Sequence, residues 1–383
     1  MGARIFLVAA ESSGDALGAD LARVLRARDA SLELAGVGGP LMAAEGIKSA
    51  ADISGLAVLG FVDGLLAYER VKAAVAATVT AVLAAKPDIV VLIDSWGLTL
   101  RVAQGVRAAD ASIKLVKYIG PQVWATRPGR AKTLAATVDH LICIHDFEPA
   151  YYAPYGLACT VAGHPAIGRF KPGDGAAFRA RHGFAAEDRV LLVLPGSRPS
   201  EVRRLGETFW HAAQILERER AGLKLVAVAA RAVHDAVKAQ APPNALIVDE
   251  PEKEDAFAAA AVALAASGTV TTEVALQEAP LVIGYRLGWI TWFLARYFLF
   301  HAKYVTLMNV AADAEVAPEI LQTRFTPENL ARAAAPLLDD PKARAAQVRR
   351  QDEALTKMGR GGRPAAEIAA DVVLAVMGPR AKA

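Results

Sequence analysis

Ile89-Val90-Val91-Leu92-Ile93 is a run of five apolar, mostly β-branched residues with nothing polar among them. A strand with one wet face would alternate. An unbroken run marks a strand covered on both faces, the habit of a parallel sheet wrapped by helices. Similar runs occupy residues 5–8, 34–37, 113–118, 141–144 and 160–162, separated by Ala-rich helical stretches. Residues 163–175, rich in Gly and Pro and without periodicity, read as a hinge. The pattern then restarts at residues 190–194, 225–228, 246–248, 262–265 and 281–283. This predicts an α/β protein of two doubly wound, Rossmann-like domains, with a cleft at the carboxyl ends of their strands. From about Pro327 the chain reads as charged, Ala-rich helix.

The 383 residues suffice for two cores. Lys+Arg 43 against Asp+Glu 40 leaves a net charge of only +3, which speaks against nucleic acid as a partner. Cys143 and Cys159 lie in apolar segments without metal-ligand spacing, so neither a disulfide framework nor structural zinc is expected, and a reducing cytoplasm fits. No Asp-x-Asp occurs and the seven His are scattered, so neither a metal nor another cofactor is expected; His145 and His164 read as loop or core residues. The apolar stretch 4–9 runs into acidic and glycine residues instead of a cleavage site. Residues 73–85 and 287–295 fall short of the ~20 residues of a membrane-spanning helix. Attachment to a membrane surface stays open.

Four polar turns follow strands. Residues 190–204, VLLVLPGSRPSEVRR, pass from strand through Pro-Gly-Ser-Arg into a helix; Gly196, Ser197 and Arg198 can meet an oxyanion there, or form a plain strand–helix junction. Glu11-Ser12-Ser13-Gly14-Asp15 follows the first strand. Ser13 or Asp15 could serve as an N-cap, while Gly14 admits close approach of a ligand and Glu11 and Ser12 face the cleft. There is no G-x-S-x-G elbow, so neither serine reads as a nucleophile. Asp94 ends the 89–93 strand and is either a general base or a helix cap. Ser267-Gly268-Thr269 forms a second anion turn, with Glu273 placed for ribose hydroxyls; the competing reading is capping by Ser267 or Thr269. A sugar nucleotide carries its own leaving group, so transfer needs one base and one cradle for the diphosphate.

Two stretches suggest an amphiphilic substrate or surface. ISGLAVLGFVDGLL (53–66) offers Leu56, Val58, Leu59, Phe61, Leu65 and Leu66, and GWITWFLARYFLF (288–300) offers Trp289, Trp292 and Phe293. A buried helix would also explain the second. Together they favour acyl chains or bilayer, with Arg296 and Lys303 for anionic headgroups.

From about Arg4 to Leu338 the chain resembles the lipid A disaccharide synthase family, inverting glycosyltransferases of GT-B fold. The resemblance rests on separated motifs in order: Glu11-Ser12-Ser13-Gly14-Asp15, Gly38-Gly39-Pro40 with Leu59-Gly60, Ile93-Asp94, Pro121-Gln122-Val123-Trp124, Gly163-His164, Leu194-Pro195-Gly196-Ser197-Arg198 with Glu201, Ala266-Ser267-Gly268-Thr269 with Glu273, Gly284-Tyr285-Arg286, and Asn309. It implies an acceptor-binding domain over 1–165, a UDP-sugar domain over 166–345, and C-terminal helices over 346–383 packing back on the first. It implies transfer of 2,3-diacylglucosamine from its UDP derivative to 2,3-diacylglucosamine 1-phosphate, giving a β-1,6 disaccharide and UDP. The expected location is the cytoplasmic face of a Gram-negative inner membrane, with a second copy of the chain an admissible partner.

Carried over by motif, Asp94, Glu11 and Asn309 are the catalytic candidates. Gly196, Ser197, Arg198, Glu201, Ser267, Gly268, Thr269 and Glu273 fall to UDP and its diphosphate. Ser12, Ser13, Gly14, Asp15, Gln122, Trp124 and Arg286 fall to the acceptor and its phosphate. Departures from the family pattern occur at Ala10, residues 95–98, Gly120, Thr126, Asp63 and Glu69, and they gather on the acceptor side. A UDP-sugar 2-epimerase of the same fold, and a divergent or non-catalytic paralogue binding another lipid, are the alternatives.

Overall fold

A computed structural model describes residues 2–53, 64–185, 187–288 and 303–378. The chain divides into two compact units, Met1–Gly168 with Gly362–Ala383, and Arg169–Gly361.

In the first unit, β1 (Arg4–Ala9), β2 (Glu33–Val37), β3 (Ile89–Ile93), β4 (Lys114–Tyr118), β5 (His140–Cys143) and β6 (Ala158–Val161) form one sheet in the order β2-β1-β3-β4-β5-β6. Every pair is parallel. The unbroken apolar runs have a direct cause. On β1, Ile5, Leu7 and Ala9 belong to the core under the helices Ser12–Arg28 and Ala365–Met377, whereas Phe6 and Val8 belong to the core under Gly64–Ala85 and Trp96–Ala109. Both faces are dry, so both parities are apolar.

The second unit repeats the plan. Here β7 (Arg189–Leu194), β8 (Leu223–Ala229), β9 (Leu246–Asp249), β10 (Ala260–Ala266), β11 (Leu281–Tyr285) and β12 (Glu319–Leu321) form a parallel sheet ordered β12-β11-β10-β7-β8-β9. Strand β12 escapes the sequence pattern, because three residues behind a proline make too short a run to register.

The tail is helical over Pro327–Asp339, Pro341–Lys357 and Ala365–Met377. Thr326 and Asp340 cap the first two through the amides of Asn329 (3.3 Å) and Lys342 (2.8 Å), and proline occupies the first helical position of each. The boundary expected at 345 falls inside Pro341–Lys357. That helix stays with the second unit, where buried Gln347 and Gln351 donate to the carbonyls of Leu281 (2.8 Å) and Ala279 (3.0 Å). Only Ala365–Met377 joins the first unit, burying Ala369, Ala370 and Val373 there. Arg28 clamps it, pairing with Asp371 and donating to the Glu367 carbonyl at 3.0 Å.

Candidate active site

In each sheet the strand order reverses between the first strand and a neighbour: β1 beside β3, and β7 beside β10. Loops leaving the carboxyl ends of such strands diverge to opposite faces and open a crevice where ligands bind in open α/β sheets. All four polar turns singled out in the sequence leave these strands, carrying Glu11, Asp94, Arg198 and Ser267.

Asp94 sits half-buried at the end of β3, its amide donating to the Tyr118 carbonyl at 2.9 Å. It and Ser95 both take left-handed backbone, φ 48° and 41°, a conformation that costs non-glycine residues on the order of 1–3 kcal/mol each. Neighbouring side chains hold the turn. The Thr99 hydroxyl lies 2.8 Å from the Asp94 carbonyl oxygen and 2.9 Å from that of Ser95. The Lys117 ammonium donates to the same Asp94 carbonyl and to Thr99 Oγ1 at 2.7 Å. The Asp94 carboxylate accepts from Ser13 Oγ, which donates to Oδ2 at 3.3 Å.

Lys117 was not singled out by the sequence, although a lysine inside an apolar strand was the available signal. It stands on β4, between β3 and β5, and is only 2% exposed. Burial brings its pKa down to about 7, partly opposed by the negative charges of Asp94 and Glu11.

Beside this turn lies a cavity of about 260 Å³, walled by Asp94, Trp96, Lys117, Gln122, Thr126, Arg130 and Glu148 among others. Gln122 is exposed on it. Arg130 stacks its guanidinium over Trp96, 5.1 Å from the ring centroid. Glu148 is buried; its Oε1 accepts from the His145 amide at 3.0 Å, and burial pushes its carboxyl up to about 7 against the pull of the His145 and Ile144 amides. His145 is a core residue: burial lowers its pKa to about 4, against the Asp146 charge, and its ring stacks on Phe147 at 5.0 Å. Trp124 meets both rings edge-on, at 6.1 and 5.7 Å, so it anchors the loop behind the cavity.

The first polar turn divides. Glu11, Ser12 and Ser13 are exposed at the start of Ser12–Arg28, and no side chain caps that helix. Gly14 is buried on Ala9 and Ile93, so it faces the sheet and does not admit a ligand. Asp15 is 3% exposed and caps a different helix, Pro40–Ala44: its carboxylate accepts from the amides of Gly39 (2.8 Å), Leu41 (2.8 Å) and Met42 (3.0 Å). Its expected place at the acceptor phosphate is thereby corrected, since the oxygens already serve three buried N–H groups. Glu11, Ser12 and Asp15 border a second cavity of about 570 Å³, whose other walls include Ala9, Pro40 and Leu41.

In the second unit, Gly196 has φ 126° and a Cβ there would stand 2.6 Å from Glu201 Cβ, so only glycine fits. Glu201, in the first turn of Pro199–Arg218, reaches back to accept from the amides of Ser197 (3.2 Å) and Arg198 (3.4 Å). This corrects two expectations: Glu201 shapes the turn instead of binding diphosphate, and those two amides are already committed. An anion can still meet the Ser197 hydroxyl and the Arg198 guanidinium, whose side chain is 74% exposed with a loose 3.6 Å pairing to Glu201.

Ser267 is half-buried and Gly268 and Thr269 are exposed; neither Ser267 nor Thr269 supplies a cap, and Thr271 Oγ1 instead donates to the Gly268 carbonyl at 2.7 Å. Glu273 pairs with Lys253 at 2.9 Å. Burial alone would lower the Lys253 pKa, but the hydrogen bond and charge of Glu273, with Glu254 and Glu250, outweigh it and hold it raised. Arg286 follows β11 in the second unit, exposed, its guanidinium 5.8 Å from the Phe325 ring centroid.

Asn309, expected to be catalytic, is fully buried in Leu307–Ala312. Its Oδ1 accepts from Val316 (2.8 Å) and Ala317 (3.0 Å), while Nδ2 donates to the Ala317 carbonyl (2.8 Å) and Glu319 Oε1 (3.0 Å). All its hydrogen-bonding capacity is spent on the chain, so its role is to fix the 305–319 segment with Glu319, which also accepts from the Val305 and Thr306 amides. Leu56, Val58, Leu59, Phe61, Trp289, Trp292, Phe293 and the side chains of Leu65 and Leu66 lie outside the described residues. Among the described residues no helix is long and apolar enough to cross a membrane.

Paired parallel sheets of this order define the GT-B class of glycosyltransferases and sugar-nucleotide epimerases. Solved structures of that class share the fold at low identity: an S. aureus MnaA–UDP co-structure has TM-score 0.66 and 14% identity over 96% of this chain and 94% of that one. Acinetobacter baumannii MurG has TM-score 0.57 and 16% identity over 97% and 99%. Sequence resolves the class further. Residues 5–373 match the lipid-A-disaccharide synthetase family, and the lipid-A-disaccharide synthase of Rhodospirillum centenum is 41% identical over 382 residues, 98% of this chain and 95% of that protein. The chain belongs to the lipid-A-disaccharide synthetase family, and it is a glycosyltransferase.

Proposed function

We propose that this chain transfers 2,3-diacylglucosamine from UDP-2,3-diacylglucosamine to the 6-hydroxyl of 2,3-diacylglucosamine 1-phosphate, releasing UDP and forming a β-1,6 disaccharide. The observation that carries this reading is the Asp94 turn, where a carboxylate is projected from strained backbone at the carboxyl end of a switch-point strand. Asp94 takes the proton of the attacking hydroxyl while that oxygen bonds to the anomeric carbon from the side opposite the diphosphate, inverting the centre. Ser13 orients the carboxylate. On the second unit, Arg198 and the Ser197 hydroxyl neutralise charge as it collects on the departing UDP, and Glu273, steadied by Lys253, receives the ribose hydroxyls. Peripheral attachment to the inner membrane through the apolar stretches 53–66 and 288–300 belongs to the same reading, since both substrates carry acyl chains.

The test is incubation with UDP-2,3-diacylglucosamine and a panel of acylated acceptors, with mass spectrometry for a disaccharide. Asp94→Asn should lower turnover by on the order of 10²–10⁴ while calorimetry shows unchanged UDP binding. Near-wild-type turnover in that variant removes Asp94 as the base.

A further inference from the structure

The cavity beside Asp94 holds an arginine. Arg130 is half-buried, its guanidinium lies over Trp96, and among the described residues no carboxylate pairs with it. Burial, and then the like charge of Arg127 three residues earlier, lower its pKa, the opposite of what a carboxylate partner would do. Gln122 and Thr126 open further hydrogen-bonding groups onto the same cavity. The loop bearing them is fixed, with the Thr126 amide on the Gln122 carbonyl at 2.9 Å, the Arg130 amide on that of Arg127 at 3.0 Å, and the Tyr152 hydroxyl on the Pro121 carbonyl at 3.1 Å.

Resting on the acceptor reading above, we infer that this cavity seats the phosphorylated sugar head of the acceptor, with Arg130 binding the phosphomonoester. One cavity offers a carboxylate, Asp94, to a hydroxyl and a guanidinium, Arg130, to an anion, which are the two groups a phosphorylated sugar acceptor presents. Its 260 Å³ is below the roughly 300–1,000 Å³ of drug-sized pockets, room for a head group without its acyl chains. The other charged walls are compatible. Lys117 is committed to the Asp94 carbonyl and Thr99, and Glu148, already titrating near 7, is driven further toward its neutral, donating form by an approaching dianion. The inference sets Arg130 among the specificity-determining residues and separates it from the diphosphate cradle around Arg198.

Arg130→Met and Arg130→Lys would be compared with wild type on 2,3-diacylglucosamine 1-phosphate and on its dephosphorylated counterpart. Wild type should favour the phosphorylated acceptor in kcat/KM by on the order of 10- to 100-fold, the worth of one charge-assisted hydrogen-bonded contact. Arg130→Met should lose that preference, keep its rate on the dephosphorylated acceptor within about threefold and bind UDP like wild type, while Arg130→Lys recovers part of the preference. A preference that persists in Arg130→Met, or a loss confined to UDP affinity, overturns the assignment. Binding of glucosamine 1-phosphate against glucosamine, followed by NMR on wild type and Arg130→Met, decides the site even if wild type forms no disaccharide with any acceptor. That last result would instead overturn the reaction proposed above.

Discussion

Replacing Lys117 by methionine isolates a charge that the first unit holds at a cost. The lysine titrates at 10.5 when solvated and at about 7 in the fold, chiefly through burial. At about 1.4 kcal/mol per pKa unit, moving the lysine from solvent into the fold disfavours its ammonium, relative to its neutral amine, by about 5 kcal/mol. Between pH 7 and 10.5 the unfolded chain binds the proton and the folded chain sheds it. The unfolded state therefore binds more protons, and this group makes stability rise with pH. From pH 7 to 9 the gain is about 2 kcal/mol. Methionine, similar in length and uncharged, removes the dependence and leaves Thr99 bonded to the Asp94 carbonyl. Lys117→Met should then be at least as stable as wild type at pH 7, and the difference between them should move by about 2 kcal/mol in favour of wild type by pH 9. Urea unfolding followed by circular dichroism at pH 7, 8 and 9, read as variant minus wild type, cancels groups common to both, including Glu148. A difference that stays constant across that range refutes the reasoning.

Asn309→Ala should destabilise the chain by about 3 kcal/mol or more, because the amides of Val316 and Ala317 and the Glu319 carboxylate lose partners inside the fold. A variant as stable as wild type in chemical unfolding but inactive would return Asn309 to the reacting groups. Lys253→Met should weaken UDP binding by roughly threefold to tenfold, with Glu273→Gln weakening it further, since the ion pair fixes the carboxylate that the ribose reading requires. Calorimetric affinities within twofold of wild type in both variants would detach Glu273 from the nucleotide.

The backbone plan was legible because burial writes directly into composition. Strands such as 89–93 and 190–194 are apolar at both parities only if both faces are covered, and the structure covers both. What could not be read was the partner of each polar side chain. Asp15 sits where a cap for its own helix or a ligand contact is expected, yet its partners are amides 24 to 27 positions away, a distance no local pattern encodes. Glu201 and Asn309 are similar, since motif position identifies them as important without separating a residue that touches ligand from one that shapes the loop. Arg130 and Glu148 left no signal, because an arginine and a glutamate in polar segments are ordinary until a cavity surrounds them. Lys117 did leave one, and it was hidden only by reading 113–118 as a generic strand.

The return of Ala365–Met377 to the first unit has a consequence for synthesis on the ribosome. Residues through Gly168 emerge without the helix that supplies Ala369, Ala370 and Val373 to their core. About 200 residues must still be translated, which at 5–20 residues per second takes roughly 10–40 s. During that interval the core formed by Leu21 and Leu25 of the helix Ser12–Arg28 with Tyr118 of β4 lacks its last cover, and the intervening unit has time to fold first. A premature stop anywhere in the second unit is thereby also a lesion of the first.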